Sequence, residues 1–127
     1  MSGTLTLQVV GAKLTRDTEA IGKMDPYTVL AYRGEKYKTK VLNGKGKTPV
    51  WNQDFTFVVQ DVRDDIKVKV FDEDTFGSDE VGGCEVAIGE IISAGPSGAE
   101  IDIFYKTKPA GKIHLRAKDW MPSHQML

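Results

Sequence analysis

Residues that cross-link a chain or hold a soft metal are scarce here. One cysteine, Cys84, stands among 127 residues, so no internal disulfide can form. Cys84 and two histidines, His114 and His124, fall short of the full tetrahedral set of a structural zinc site. So little cysteine fits a reducing cytoplasm. Long apolar runs are missing too: none approaches the roughly 18 residues of a membrane span. An excess of positive charge is also missing. Lys and Arg number 17 against 18 Asp and Glu, a net charge of −1, which argues against a nucleic-acid partner. Met1-Ser2-Gly3 opens no signal-peptide apolar region. Residue 2 is Ser rather than the Gly that myristoylation takes, and no cysteine lies near the C-terminus for prenylation. Any membrane contact is therefore expected to be reversible, peripheral and made by the folded surface. No Ser-His-Asp ordering and no phosphate-cradling glycine loop is present, so no enzymatic activity is expected.

What the chain does contain is alternation. With 40% apolar and 28% charged residues it can fold around one core. Leu5, Leu7 and Val9 alternate with Thr6 and Gln8, predicting a strand with one buried face. Thr15 to Met24 reads as a polar loop closed by Asp25-Pro26. Further strands are predicted at Tyr27 to Tyr32, Lys36 to Val41, Trp51 to Val59 and Ile66 to Val70. Three more run through Cys84 to Ile88, Ile101 to Tyr105 and Ile113 to Ala117. Arg33-Gly34-Glu35 and Lys108 to Gly111 read as turns, and Gly89 to Ala94 as one helical turn. Eight short strands with regular turns predict an all-β fold, an antiparallel β-sandwich of two sheets. Residues 1–118 are expected to form one domain and 119–127 a tail, with Trp120 capping the core. Trp51 and Asn52 read as structural, Asn52 tying a turn; Cys84 reads as a small core residue and His114 as exposed.

The chemistry concentrates after Val70. Asp72, Glu73, Asp74, Asp79 and Glu80 place five carboxylates within nine positions, with Phe76 and Gly77 among them. Carboxylates this close repel one another. A hard cation relieves the repulsion, and Ca²⁺ takes roughly 6–8 oxygen ligands from such flexible acidic loops. The stretch is not an EF-hand. Counted from Asp72, its fifth position is Phe76 and its twelfth Gly83, where oxygen ligands are required. The second half of the site is expected between Glu19 and Asp25.

Three marks in order carry a resemblance: Asp25-Pro26-Tyr27, Thr48-Pro49-Val50-Trp51-Asn52-Gln53-Asp54-Phe55, and Phe71-Asp72-Glu73-Asp74 followed by Val81-Gly82. From Leu5 to Lys118 the chain resembles the C2 domains, calcium-dependent phospholipid-binding sandwiches. It is most similar to the small stand-alone plant proteins with the circularly permuted, type II strand order. The resemblance implies two or three Ca²⁺ ions held by Glu19, Asp25, Asp72, Asp74 and Glu80. Carbonyls of Met24 and Glu73 would add oxygens, with Asp79 or Asp17 as stand-ins. Glu19 and Glu80 depart from the family's Asp, and the extra methylene carries the carboxylate about an ångström outward. The five carboxylates carry −5 and two ions +4, so a face that repels anionic lipid would become nearly neutral.

The resemblance also places Ala20-Ile21 and Phe76 where loops dip into a membrane; the alternative is packing against the domain. Lys36, Lys38 and Lys40 share one strand face and resemble a basic cluster for anionic headgroups; the alternative is a solvated or edge-guarding face. Lys67 and Lys69 could extend that cluster. The implied function is a monomeric, calcium-dependent module that binds anionic phospholipid membranes. The competing function is a calcium-independent adaptor that binds a protein partner on the same fold.

Overall fold

The computed structural model describes residues 1–123. Eight strands and one short helix follow in order: β1 (Gly3–Leu14), β2 (Pro26–Tyr32), β3 (Glu35–Lys38), β4 (Val50–Val59), β5 (Asp65–Asp74), β6 (Gly77–Ala87), α1 (Ile88–Ser93), β7 (Ala99–Tyr105) and β8 (Lys108–Pro122). The strands pair in the order β3-β2-β5-β6-β7-β8-β1-β4, every pair antiparallel. One registered pair, Gly83 with Phe104, joins β6 to β7. The ladder is otherwise two four-stranded sheets. Tyr32 of β2 and Tyr37 of β3 lie 5.6 and 5.3 Å from the Phe57 ring of β4, ring centre to ring centre. Strands at opposite ends of the order therefore face each other, and the two sheets form a sandwich. The first acidic loop joins β1 to β2 and the last strand pairs with β1, as the type II order requires.

Alternation decides what lies inside. Leu5, Leu7 and Val9 of β1, Ile66, Val68 and Val70 of β5, and Ile113 and Leu115 of β8 are fully buried. Each such side chain contributes about 1.5–3 kcal/mol. Trp51 packs against this core and donates its indole N–H to the Pro26 carbonyl at 3.3 Å. Cys84 is half-buried against it, and burial pushes its thiol up to about 11.

Several boundaries differ from the pattern reading, each for a local reason. The third strand stops at Lys38 rather than Val41 because Thr39 turns inward, its hydroxyl accepting from Thr28 N at 2.8 Å. Asn52 lies within β4 at φ 48°, beside a register shift, so it serves a bulge rather than a turn. The seventh and eighth strands turn at Lys106-Thr107, both at positive φ, and Lys108 to Gly111 is already strand. His114 is half-buried, its Nε2 2.7 Å from the Ser97 carbonyl oxygen. Residues 119–122 of the expected tail belong to β8, where Trp120 packs on the core; 124–127 lie outside the described residues.

Gly111 sits at the end of the β8–β1 ladder, opposite Leu14. It sits at φ 133°, and a Cβ there would come 2.2 Å from the Lys13 carbonyl oxygen. Gly111→Ala is expected to destabilise the domain by about 2–4 kcal/mol, combining left-handed strain with a backbone clash. The midpoint of urea unfolding reads this directly.

Candidate metal centre

Alternation along β5 aims Ile66, Val68, Val70 and then Asp72 at the interior, and Asp72 is fully buried. A carboxylate so placed needs donors. Asp25 N donates to its Oδ1 and the Thr18 hydroxyl to its Oδ2, both at 2.8 Å. Those bonds draw the loop spanning 15–25 onto the end of β5. Glu73 N donates to the Asp25 carbonyl at 3.0 Å, closing the same junction. The loop between β3 and β4 joins as well: Gly44 N donates to Asp25 Oδ1 at 2.7 Å and Gly46 N to the Met24 carbonyl at 3.0 Å. Asp25, Asp72 and Asp74 thus stand at one end of the sandwich. Glu19, Asp25, Asn43, Glu73 and Asp74 line an open hollow of about 620 Å³ there.

The hairpin register sorts the remaining carboxylates. A two-residue turn, Thr75-Phe76, pairs Asp74 with Gly77 and Asp72 with Asp79. Directly paired residues share a face, so Asp79 stands on the side of Asp72. Glu80 pairs with Phe71 and lies on the opposite face, where Lys69 Nζ is 3.4 Å from its Oε1. The structure therefore turns the Glu80 side chain toward Lys69 and away from the hollow that it was expected to serve, while Asp79 borders a neighbouring hollow with Asp17, Thr18 and Glu80. The Met24 carbonyl, another expected ligand, accepts Gly46 N with one of its two lone pairs, and the Met24 side chain is fully buried. Asp17 Oδ1 accepts Glu19 N at 2.9 Å and shapes the loop.

The electrostatics are one-sided. Among the described residues, Glu19, Asp25, Asp72, Glu73, Asp74 and Asp79 have no Lys or Arg partner within 4.0 Å, whereas Glu80 and Glu85 do. A proton shared with Asp72, together with the charges on Asp72, Asp74 and Asp25, raises Glu19 to about 6. As the side chains stand, no three His, Cys, Asp or Glu among the described residues are grouped closely enough to hold an ion. The hollow's charged donors are all oxygens, the set a hard cation such as Ca²⁺ takes.

Apolar tips project beside this rim. Phe76 is 98% exposed and Ile21 91% exposed, so neither packs against the domain. On the outer face of the β3-β2-β5-β6 sheet, Lys36, Lys67 and Lys69 border a shallow groove floored by Tyr27 and Phe71. These two rings stack at 5.4 Å, and Lys38 Nζ sits 4.3 Å above Tyr27. Lys40 is exposed beyond the end of β3. Reading the sequence missed Thr18, Asn43 and Gly44. Only their place in polar loops marked them.

Residues 3–105 match the family model described as C2 domain. The chain belongs to the C2 domain family. This C2 domain is 41% identical over 124 residues to Synaptotagmin-5 of Arabidopsis thaliana, covering 94% of the chain but 21% of that relative. It is 35% identical over 96 residues to Elicitor-responsive protein 3 of Oryza sativa subsp. japonica, covering 75% of the chain and 67% of the relative. The chain thus spans about a fifth of the longer relative and two thirds of the shorter. A solved C2 domain-containing protein from an elicitor-responsive gene superposes with a TM-score of 0.77 at 30% identity, over 96% of this chain and 90% of that one. The calcium-bound pair of C2 domains of Extended-Synaptotagmin 2 shares the fold, with a TM-score of 0.76 at 22% identity over 94% of this chain and 46% of that one. No helix among the described residues is long and apolar enough to cross a membrane.

Proposed function

We propose that this C2 domain is a calcium-triggered module that docks reversibly on anionic phospholipid membranes. The observation that carries the reading is the set of rim carboxylates left without a basic partner, beside two exposed apolar tips. Glu19, Asp25, Asp72, Asp74 and Asp79, with oxygens of Glu73, would hold Ca²⁺, in two or three ions as the resemblance implies. Bound there, the cation supplies open coordination positions for lipid phosphate or carboxylate oxygens. The protein's own residues do the rest. Rim carboxylates repel an anionic surface until they are neutralised. Phe76 and Ile21 then enter the acyl boundary, and Lys36, Lys38 and Lys40 approach the headgroups. By linkage, lipid tightens calcium by the factor that calcium tightens lipid. The domain acts by recruitment and carries out no chemistry of its own.

Co-sedimentation with phosphatidylserine-containing vesicles tests this, once with calcium and once with chelator. Binding is expected with calcium and largely lost in chelator. Equal sedimentation in both would favour the calcium-independent adaptor.

A further inference from the structure

The outer face of β5 and β6 carries an arrangement that the metal centre does not use. Lys67 and Lys69 project from β5 away from the core. Glu85 and Glu80 of β6 meet them, with Nζ to Oε1 distances of 3.7 and 3.4 Å. Lys67 stands directly across from Glu85. Lys69 stands across from Gly83, so its partner must come from elsewhere. Glu80 reaches it diagonally, past the register shift in the hairpin. The bare Gly83 leaves room for this: a Cβ there would lie 3.0 Å from Lys69 Cγ. A diagonal reach suits the longer Glu side chain better than Asp, which gives residue 80 a reason to be Glu.

We infer that Glu80 and Glu85 are counter-anions flanking the basic groove, neutralising Lys67 and Lys69 from its β6 side until anionic lipid headgroups displace them. The inference rests on the membrane reading above and assigns Glu80 to the groove rather than to the metal. Among the described residues, Lys36, Lys38 and Lys40 have no carboxylate within 4.0 Å. The groove therefore has lysines without a carboxylate partner on β3 and beyond its end, and masked lysines on β5. Both ion pairs are exposed, with side-chain accessibilities of 65% and 57% for Lys67–Glu85, and 54% and 32% for Lys69–Glu80. Exposed pairs of this kind stabilise the fold little. Their effect falls on binding, because the two glutamates subtract charge from the surface that meets the membrane. They hold down lipid binding in the absence of calcium.

Glu80→Gln and Glu85→Gln, made singly and together, test the inference against vesicles containing phosphatidylserine. Binding is measured in chelator at about 0.1 M and about 0.5 M salt. Calcium calorimetry without lipid is run alongside. Each substitution is expected to tighten chelator binding about five-fold, the change one elementary charge makes near an anionic surface. The gain should shrink at the higher salt, and the calcium heat should be unchanged. Unchanged binding in chelator overturns the inference. Loss of calcium heat in Glu80→Gln overturns it too, because Glu80 would then be a metal ligand. Glu85→Gln lies farther from the rim and keeps the test alive if Glu80→Gln unfolds. If wild-type binding ignores calcium but the variants still tighten in chelator, the calcium trigger fails and the counter-anion role stands. If calcium still drives binding and the variants behave as wild type, only the inference fails.

Discussion

Asp74→Asn is expected to abolish the heat of calcium binding at micromolar to millimolar ion while leaving the thermal midpoint near that of the wild type. The residue suits the test because its duties separate. Its Oδ1 accepts Phe76 N at 2.9 Å, a bond an Asn carbonyl can also accept. The side chain is exposed, so the fold does not depend on its charge. Removing that charge subtracts one anionic oxygen from the hollow it shares with Glu19 and Asp25. Loss of an outer-shell partner alone weakens metal sites about 10–100-fold, and a direct charged ligand should cost at least the upper end of that range. Asp72 is the poorer target. It is fully buried and receives both Asp25 N and the Thr18 hydroxyl, so Asp72→Asn places an amide donor against another donor. Calorimetry on Asp74→Asn that shows undiminished heat would remove the hairpin from the metal site.

Phe76→Ser is expected to weaken calcium-dependent vesicle binding by about 1.5–3 kcal/mol, or roughly ten- to one-hundred-fold, the value of burying one such ring. Nothing in the folded domain should change. The ring is 98% exposed, and a surface substitution of this kind shifts stability by no more than about 0.5 kcal/mol. Calcium affinity without lipid should also stay put, since Phe76 contributes to the site only its backbone N–H. The variant therefore separates insertion from ion binding. Sedimentation equal to wild type at matched calcium would show that headgroup contact alone holds the domain on the membrane.

Much of this was legible in the sequence because alternation and burial coincide. Leu5, Leu7, Val9 and Ile66, Val68, Val70 read as inward residues and are buried. The same period ran on to Asp72 and placed a carboxylate at the end of an inward row. Pairing register was not legible. The family resemblance implied Glu80 as the last ligand, whereas the two-residue turn at Thr75-Phe76 makes Asp79 the partner of Asp72. The turn at Lys106-Thr107 carries neither Gly nor Asn, so nothing marked its positive φ values of 48° and 70°. The end of β8 was hidden by a register shift between Thr6 and Leu7, which leaves Lys118 unregistered on that ladder and breaks the alternation. Lys118 instead reaches Asp54 at 2.8 Å.

One rung, Gly83 to Phe104, laces the two layers of the sandwich together. Most of the rest that holds them is apolar contact, which has no preferred direction, with a few side-chain bonds such as Trp51 Nε1 to the Pro26 carbonyl and Gln60 N to the Tyr32 hydroxyl. A small slide of one layer past the other would break no row of backbone bonds. The segments spanning 15–25 and 39–49 cross from layer to layer at the acidic end, and so act as straps over that seam. Whatever draws their oxygens inward also fastens the halves of the protein to each other.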